Sequence, residues 1–383
     1  MEKESLEYWL ALNRIQGFGP AERRAFLDSS NDAVDMFEGP PLGVECLRAA
    51  VAAARGLSME DWDWVKREIE LIGRHNARVI TVRDSLYPGH LRRIYDPPLL
   101  LYAKGKFYDT DRPCVAVVGT RRASPYGLSM AGAIARDLAA AGMVVVSGLA
   151  RGCDSAAHRG ALSTGGHTVA VLGTGIDVTY PGENRRLQDE IAEKGLLLSE
   201  FPVSTPPFPG NFPVRNRIIS GMALGVAVVE APLRSGAMMT ARLALEQGRE
   251  VFAFPGPAGM KKAAGTNKLI KDGATLVEGA EDVLKAFFPD FRPPESAEKG
   301  APSRTAGWPS RPAGSKVQNP VRSGAEDGLA EKVAELLSEG PMHIDSIAEK
   351  SGLPVQKVSS VLLSMELNGM VEQKPGKLFM LRL

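Results

Sequence analysis

Glycine and arginine residues follow a short apolar segment of the chain in a pattern typical of an anion-binding turn. Val115–Val118 leads directly into Gly119, Thr120, Arg121 and Arg122. A glycine between a strand and a helix lets backbone N–H groups approach a phosphate, and the positive end of the helix favours the anion. Arg121 adds a forked donor group that stays charged at neutral pH. We therefore predict that these four residues bind phosphate.

Repetition of the pattern strengthens this prediction. Alone, Gly119 could simply make a tight turn and Arg121 could be a solvated surface arginine. The next two apolar segments also end in glycine-rich turns, and the carboxyl ends of neighbouring parallel strands meet at one crevice. We favour a shared anion-binding crevice over coincidence. Its further predicted members are Ser147, Gly148, Arg151, Gly173 and Gly175.

Other polar residues occupy comparable places along the chain. Several arginines around one crevice suit a string of phosphates better than a single one. For each arginine, a solvated charge or a local salt bridge is an equally good interpretation. Ser235 and Gly236 open another helix, where a second phosphate or close helix packing would explain the small residues equally well. The remaining candidate contacts are Asn184, Arg185, Arg186, Arg215, Asn216, Arg217 and Lys268.

Catalytic motifs are weak in this sequence. The five histidines show no metal-ligand spacing, and we find no dinucleotide-binding glycine motif, no P-loop and no nucleophile elbow. Four carboxylates, Asp154, Asp177, Glu200 and Glu230, lie near the ends of apolar segments. Without a paired nucleophile, we interpret them as helix caps and salt-bridge partners. We therefore expect no catalytic residues, no metal and no cofactor.

The length of the chain allows several domains, but its composition does not indicate a particular function. The 383 residues carry 46 Lys and Arg against 45 Asp and Glu, so any basic surface must be local. Three widely spaced cysteines suggest neither a disulfide framework nor a zinc site. The segment Met1–Glu7 is acidic, and no apolar run approaches the roughly 18 residues of a membrane span. We expect a cytoplasmic protein without membrane contact.

The elements that must position these residues form an alternating pattern. Two apolar runs, Val79–Val82 and Leu99–Tyr102, precede six more that alternate mostly with helix-length segments. Continuous apolar runs indicate strands buried on both faces and joined by parallel crossovers. The pattern predicts an α/β fold with a doubly wound, mostly parallel, Rossmann-like sheet. The six central strands are expected at Val115–Val118, Val144–Ser147, Val169–Leu172, Leu196–Leu198, Val226–Val229 and Val251–Phe254.

Composition shifts predict four regions along the chain. The first is helical, and its turn at Ile15–Ala21 has the shape of a helix-hairpin-helix motif, although a plain turn would look the same. The last combines three helical patterns with a hairpin, which is typical of a winged helix, and it could contact DNA or protein. The predicted regions are a helical domain at 1–75, an extended Rossmann-like domain at 76–289, a flexible linker at 290–327 and a winged-helix domain at 328–383.

Long stretches of the central domain resemble the DNA-processing protein A family, also called DprA or Smf. The matching segments include VAVVGTRRASPYG at 115–127, VVSGLARGCDSAAHRGAL at 145–162, TVAVLGTGIDVTYPGEN at 168–184 and FPVRNRIISG at 212–221. The resemblance implies a homodimer that coats and protects single-stranded DNA during natural transformation and recombination. It also implies help in loading the RecA recombinase, without catalysis.

The resemblance carries over to individual residues in part. The family's GTR or GSR arginine contacts DNA and corresponds to Arg121. Many members have a DNA-contacting lysine directly after the Tyr-Pro pair, where this chain has Gly182. We hypothesise that Arg185 or Arg186 substitutes for that lysine.

Two other hypotheses stay open. A nucleotide-processing enzyme of the lysine-decarboxylase-like phosphoribohydrolase type would carry a PGGxGTxxE segment, and the nearest equivalent, 234–241, lacks the glutamate. A structural adaptor that acts only through its winged helix is the third possibility.

Overall fold

The computed structural model describes most of the chain in two compact units. The N-terminal unit extends to residue 308, and the C-terminal unit follows it. Every helix in the described part of the chain is too short or too polar to cross a membrane. The described residues are 3–15, 18–29, 32–39, 47–110, 112–289, 324–338, 340, 342–353, 357, 358, 360–362, 365, 370–374 and 378–381.

Five described helices precede the first strand, in agreement with the predicted helical region. They are α1 (Lys3–Arg14), α2 (Pro20–Asp28), α3 (Ala33–Phe37), α4 (Arg48–Arg55) and α5 (Met59–Arg74). Trp9 of α1 and Phe26 of α2 belong to the same apolar core as Leu100 and Leu101, so these helices pack on the residues that follow. The predicted domain boundaries stay predictions. The proposed helix-hairpin-helix turn includes Gln16 and Gly17, which lie outside the described residues.

A nine-stranded sheet forms the centre of the N-terminal unit, in the order β1-β2-β6-β5-β4-β3-β7-β8-β9. All neighbours from β6 to β9 in this order pair in parallel, whereas β1 and β2 are joined antiparallel at one edge. The mostly parallel α/β sheet is therefore confirmed. The strands are β1 (Arg78–Thr81), β2 (Leu100–Gly105), β3 (Cys114–Val118), β4 (Val144–Ser147), β5 (Thr168–Leu172), β6 (Leu196–Ser199), β7 (Gly225–Val228), β8 (Glu250–Ala253) and β9 (Thr275–Leu276).

Helices cover both faces of this sheet. Along β3, Val115 and Val117 belong to one apolar cluster, while Ala116 and Val118 belong to the other. Successive strand residues face opposite sides, so a continuous apolar run is buried on both. The helices are α6 (Gly89–Arg92), α7 (Pro125–Ala140), α8 (Cys153–Ser163), α9 (Arg185–Lys194), α10 (Asn211–Met222), α11 (Gly236–Glu246), α12 (Ala264–Lys271) and α13 (Ala280–Phe287).

The strand order reverses direction beside β3. From β3 the chain adds β4, β5 and β6 on one side, and then returns to place β7 and β8 on the other. The loops after β3 and β7 therefore diverge, which opens a crevice at the carboxyl edge of the sheet.

The C-terminal unit has its own apolar core, which includes Val333, Ile347 and Phe379. Its sheet has the order β10-β12-β11. The elements are α14 (Gly324–Ser338), β10 (Met342–His343), α15 (Ile344–Ser351), β11 (Val371–Lys374) and β12 (Leu378–Leu381), with helical residues also at 357, 358, 360–362 and 365. The predicted winged-helix architecture is confirmed. Residues 290–323 of the predicted linker and the hairpin turn at 375–377 lie outside the described residues.

Candidate nucleic-acid interface

A cavity of about 1110 Å³ occupies the switch point of the sheet, and we call it the carboxyl-edge crevice. Its walls are the loop after β3, the first half of α10, and the loop between β7 and α11. Six of its lining residues are cationic and one is anionic, so the crevice favours anions. The cationic residues are Arg121, Arg122, Arg215, Arg234, Arg242 and Lys262, and the anionic residue is Asp154.

The turn after β3 is fixed by backbone contacts. The N–H of Thr120 donates to the carbonyl of Glu230 over 2.7 Å. A Cβ on Gly119 would lie 2.4 Å from Sγ of Cys153, so packing against α8 alone requires a glycine there. Arg121 and Arg122 are exposed, and neither forms an ion pair with a described residue. The fold therefore holds their backbone and leaves both side chains free for a ligand.

Ser124 and Glu230 anchor the helix that follows. The Ser124 hydroxyl caps α7 by accepting the Gly127 N–H over 3.1 Å, and Pro125 is the first helical residue, as predicted. Oε2 of the buried Glu230 accepts the Ser124 N–H over 2.7 Å. One oxygen of this carboxylate therefore binds the protein backbone, whereas Oε1 is buried without a hydrogen-bond partner among the described residues.

The other three carboxylates singled out in the sequence also serve the fold. Asp177 accepts the Ser204 N–H over 2.7 Å, and Glu200 pairs with Arg217. Asp154 is buried, and burial raises its pKa although Arg215 and backbone N–H groups oppose the shift. These contacts support their interpretation as structural partners.

Arg215 lies beneath the crevice rather than on its rim. The residue is 4% exposed, and its guanidinium donates to the carbonyls of Gly148, over 2.7 Å, and Val171. Burial lowers the pKa of Arg215 to about 10; Asp154 opposes the shift and Arg121 adds to it. The residue stays charged at neutral pH, and a side chain on Gly148 would collide with it. Arg215 thus fixes two strand-end loops and adds positive charge beneath the cavity.

Two aromatic rings form a platform next to the arginines. The Phe212 ring centroid lies 5.2 Å from Cζ of Arg121 and 6.0 Å from Cζ of Arg215. Tyr180 approaches the same ring at 5.3 Å and is 42% exposed. A Cβ on Gly173 would lie 2.8 Å from the Phe212 ring, so Gly173 makes room for it. Arginines beside aromatic faces are a typical arrangement for binding phosphates and bases together.

The start of α11 forms the opposite wall. The Ser235 hydroxyl caps the helix by accepting the Met238 N–H over 3.4 Å. Gly236 is exposed, and a Cβ there would meet nothing within 4 Å.

The buried Asn216, on α10, accepts the Nε–H of Arg215 over 3.2 Å, so it orients that guanidinium.

Several predicted site residues do not reach the crevice. The buried Ser147 hydroxyl donates to the Val117 carbonyl over 2.7 Å, and the buried Asn184 amide donates to the Leu149 carbonyl over 2.9 Å. A Cβ on Gly175 would lie 2.6 Å from the backbone nitrogen of Ser204, so a glycine is needed for this close packing. Arg217 is enclosed by Glu200 and Asp96. The structure assigns these four residues supporting contacts within the protein.

Other predicted residues lie on the surface outside the crevice lining. Arg151 pairs with Glu183 over 2.8 Å, and Lys268 pairs with Asp272. Arg185 and Arg186 are exposed at the start of α9, directly after the 3₁₀ turn that contains Gly182. A Cβ on Gly182 would meet nothing within 4 Å. Direct DNA contacts at these positions stay predictions.

Sequence reasoning missed several residues that line the crevice. Phe212 and Tyr180 lie inside the motifs at 212–221 and 168–184, but a single aromatic residue gives no signal of its own. Arg234, Arg242 and Lys262 are far apart from Arg121 in the sequence, and only the fold brings them to the same cavity.

Both cysteines among the described residues, Cys114 at the start of β3 and Cys153 at the start of α8, are buried. Burial raises the pKa of Cys153 to about 12 and that of Cys114 to about 11, so both stay protonated thiols. Within the described residues, no group of three or more His, Cys, Asp or Glu side chains is arranged to hold a metal ion.

The family model of DNA recombination-mediator protein A matches residues 78–288, and the model of the DprA winged helix domain matches residues 318–377. Protein Smf of Synechocystis sp. is 32% identical over 98% of both chains.

Solved structures show the same similarity. The crystal structure of DNA processing protein A from Streptococcus pneumoniae aligns with a TM-score of 0.61 and 36% identity, covering 73% of this chain and 96% of that one. A structure that describes the single-stranded DNA binding mode of DNA processing protein A from Helicobacter pylori aligns with a TM-score of 0.50 and 32% identity, covering 56% and 98%.

Proposed function

The chain belongs to the DNA recombination-mediator protein A family, and from this premise we propose that it binds and protects single-stranded DNA through the carboxyl-edge crevice. The observation that carries the proposal is the combination of unpaired arginines with the Phe212 platform. Cζ of Arg121 lies 5.2 Å from the centroid of that ring, within the range of a cation-π interaction, and Arg122 and Arg234 line the same cavity. The relative from H. pylori is described by its single-stranded DNA binding mode, which supports the same ligand.

The proposed binding mode separates phosphates from bases. Arg121, Arg122, Arg234 and the first N–H groups of α11 would hold the backbone, because guanidinium and helix-start donors suit phosphate oxygens. Phe212 and Tyr180 would stack on bases, which requires unpaired nucleotides and favours single strands over a duplex. Arg215 would act from beneath, through its charge and by fixing the loops.

We extend the proposal to the wider role of the family. The protein would act in natural transformation and recombination as a homodimer that helps load RecA onto the bound strand. Dimerisation would place two crevices on one strand and raise the apparent affinity. Pull-down of RecA by the full chain, with and without oligothymidine, tests the partner; absence of any RecA capture would contradict it.

We also propose that the protein acts without catalysis. Support comes from Glu230, Asp177 and Glu200, each of which accepts a hydrogen bond from the protein through at least one oxygen, and from the two buried, protonated thiols. The competing phosphoribohydrolase hypothesis predicts release of free base from nucleoside monophosphates. Incubation followed by chromatography distinguishes the two, since any enzyme-dependent turnover would favour the competing hypothesis.

Binding itself is tested by fluorescence anisotropy with a labelled oligothymidine and with a duplex of equal length. We expect tighter binding of the single strand, and a loss of roughly tenfold or more in Arg121→Ala because a charge-assisted contact disappears. Arg136→Ala is the matched control, since Arg136 is an exposed arginine on α7 that pairs with Asp137. Equal loss in both variants would refute a specific role for Arg121.

A further inference from the structure

A second cationic pocket lies at the opposite edge of the sheet. Its volume is about 160 Å³, and we call it the amino-edge pocket; its lining residues are Gly89, His90, Arg93, Thr110 and Arg112. Arg112 precedes β3, and Arg249, which contacts His90, precedes β8. Both strands then run toward the carboxyl-edge crevice, and five residues of β3 span about 16 Å. The two sites are therefore separated by the width of the sheet.

Arg93 and Arg112 line this pocket, and Arg249 contacts its lining residue His90; among the described residues, none of the three guanidinium groups is paired with an acid. Arg112 donates from Nε and Nη2 to the Gly142 carbonyl over 3.2 and 2.7 Å, and Arg249 donates to the carbonyls of His90 and Gly221. Arg93 is exposed. Within the described residues, no carboxylate comes within 4.0 Å of any of these three guanidinium groups.

The contacts and the pKa of His90 reflect this excess of positive charge. Nη1 of Arg249 donates to its Nδ1 over 3.4 Å, which leaves the imidazole proton on Nε2. The pKa of His90 is lowered by burial, then by Arg249 and Arg93, and no anion opposes the shift. Nε of Arg249 is buried without a hydrogen-bond partner. An anion in the pocket would remove repulsion that the fold otherwise leaves in place.

We propose that the amino-edge pocket binds a phosphate group, supplied either as free inorganic phosphate or by a nucleic-acid backbone. A tetrahedral oxyanion accepts hydrogen bonds from several guanidinium donors at once, and the Thr110 hydroxyl and the His90 Nε2–H add neutral donors to the lining. The volume far exceeds the roughly 10–15 Å³ that one water needs, so a compact oxyanion fits. This site is independent of the carboxyl-edge crevice and of the function proposed for it.

The His90 side chain supplies the test, because its C2–H signal can be followed by NMR and assigned with His90→Gln. Inorganic phosphate is titrated at pH 7 against sodium chloride of equal ionic strength. We expect a saturable shift of the His90 signal and a rise of its pKa with phosphate only. Arg93→Gln should weaken phosphate binding roughly tenfold, whereas Arg136→Gln should leave it unchanged.

A second arm identifies the source of the phosphate. Oligothymidine is added to Arg121→Ala, in which the carboxyl-edge crevice is weakened. Movement of the His90 signal with the oligonucleotide assigns the pocket to nucleic acid, and movement with inorganic phosphate alone assigns it to the free anion. A His90 signal that responds to neither, or an Arg93→Gln protein that binds phosphate as tightly as the wild type, overturns the proposal.

Discussion

Arg121 and Arg217 occupy neighbouring parts of the same fold but have opposite surroundings. Arg217 lies within a partly buried network with Glu200, Asp96 and Arg23, where two cations meet two carboxylates. Arg121 is exposed over the Phe212 ring and has no carboxylate partner among the described residues. The network joins α2 to α10 and so serves the fold, whereas the crevice keeps its charges available. Compensation of charge, rather than residue type, separates the structural region from the proposed binding region.

Arg217→Ala is expected to produce the largest effect, and on stability. It leaves the buried Glu200 and the half-buried Asp96 with Arg23 as their remaining partner, so we expect a loss of about 3 kcal/mol of unfolding free energy, the lower end of the range for a broken buried ion pair. Urea denaturation measures this loss. For the Arg217→Ala protein that remains folded, the slope of log DNA affinity against log salt should equal that of the wild type. A variant of unchanged stability that has lost its salt dependence would reverse the roles of the two regions.

A buried histidine near Arg215 should make the fold sensitive to acid. Burial lowers the pKa of His158 to about 3 from the ordinary 6.5, with help from Arg215 and Arg159. Between these values the unfolded chain binds more protons, so stability is present above pH 6.5 and is lost as the pH falls. The loss attributable to His158 is about 2 kcal/mol at pH 5.

Urea denaturation at pH 7 and pH 5 checks this expectation, with His158→Gln as the comparison. Glu68 and Asp154 have raised pKa values, so their contributions run in the opposite direction and are present in both proteins. The variant should therefore lose less stability on acidification than the wild type does. An equal loss in both would show that His158 stays uncoupled from folding.

Phe212→Leu should weaken single-stranded DNA binding by roughly fivefold or more, because one aromatic stacking contact is worth about 1–3 kcal/mol. The leucine keeps an apolar side chain beside Gly173, so folding should persist. Anisotropy at constant salt measures the affinity, and thermal unfolding controls for stability. Unchanged affinity would show that the Phe212 ring does not stack on the bases of the bound strand.

Gly182→Lys should produce the smallest effect, a gain. The position is open, and its backbone is outside the left-handed region, so a lysine fits without strain. One added exposed cation near the crevice should tighten binding by roughly two- to fivefold. Gly73→Lys is the matched control on α5, where the space is also open. A gain of equal size in both variants would reflect net charge alone.

The sheet could be predicted largely from its apolar runs. The predicted runs match the observed bounds of the two strands before β3 and of the six central strands within one residue, except that β2 extends three residues beyond Tyr102. The match is close because most of these runs are buried on both faces or end at a glycine. The two-residue strand β9 was missed, since Thr275 and Leu276 are exposed and give no apolar run. The antiparallel pairing of β1 and β2 was also missed, because the direction of a strand is not encoded in its own composition.

The candidate site could be predicted only in part. The glycine turns predicted a crevice at the edge of the sheet where the cationic cavity lies, because strand ends are visible in sequence. Which arginines are exposed was not visible: Arg215 and Arg217 are two residues apart on α10, and both are held by protein groups. The close packing of Gly119 against Cys153 was also not visible, since sequence reasoning considered only phosphate approach and a tight turn for this glycine. Burial and partners depend on distant residues, and they decide each role.

The salt dependence of oligothymidine binding tests the central claim most directly. Each phosphate contact in a single strand contributes about −0.7 to the slope of log affinity against log salt. Removal of Arg121 should therefore flatten the slope by about 0.7, whereas Arg136→Ala should leave it unchanged. The predicted result is a lower affinity and a flatter slope in Arg121→Ala only. An Arg121→Ala protein with the wild-type slope and affinity would contradict the assignment of the carboxyl-edge crevice as the DNA site.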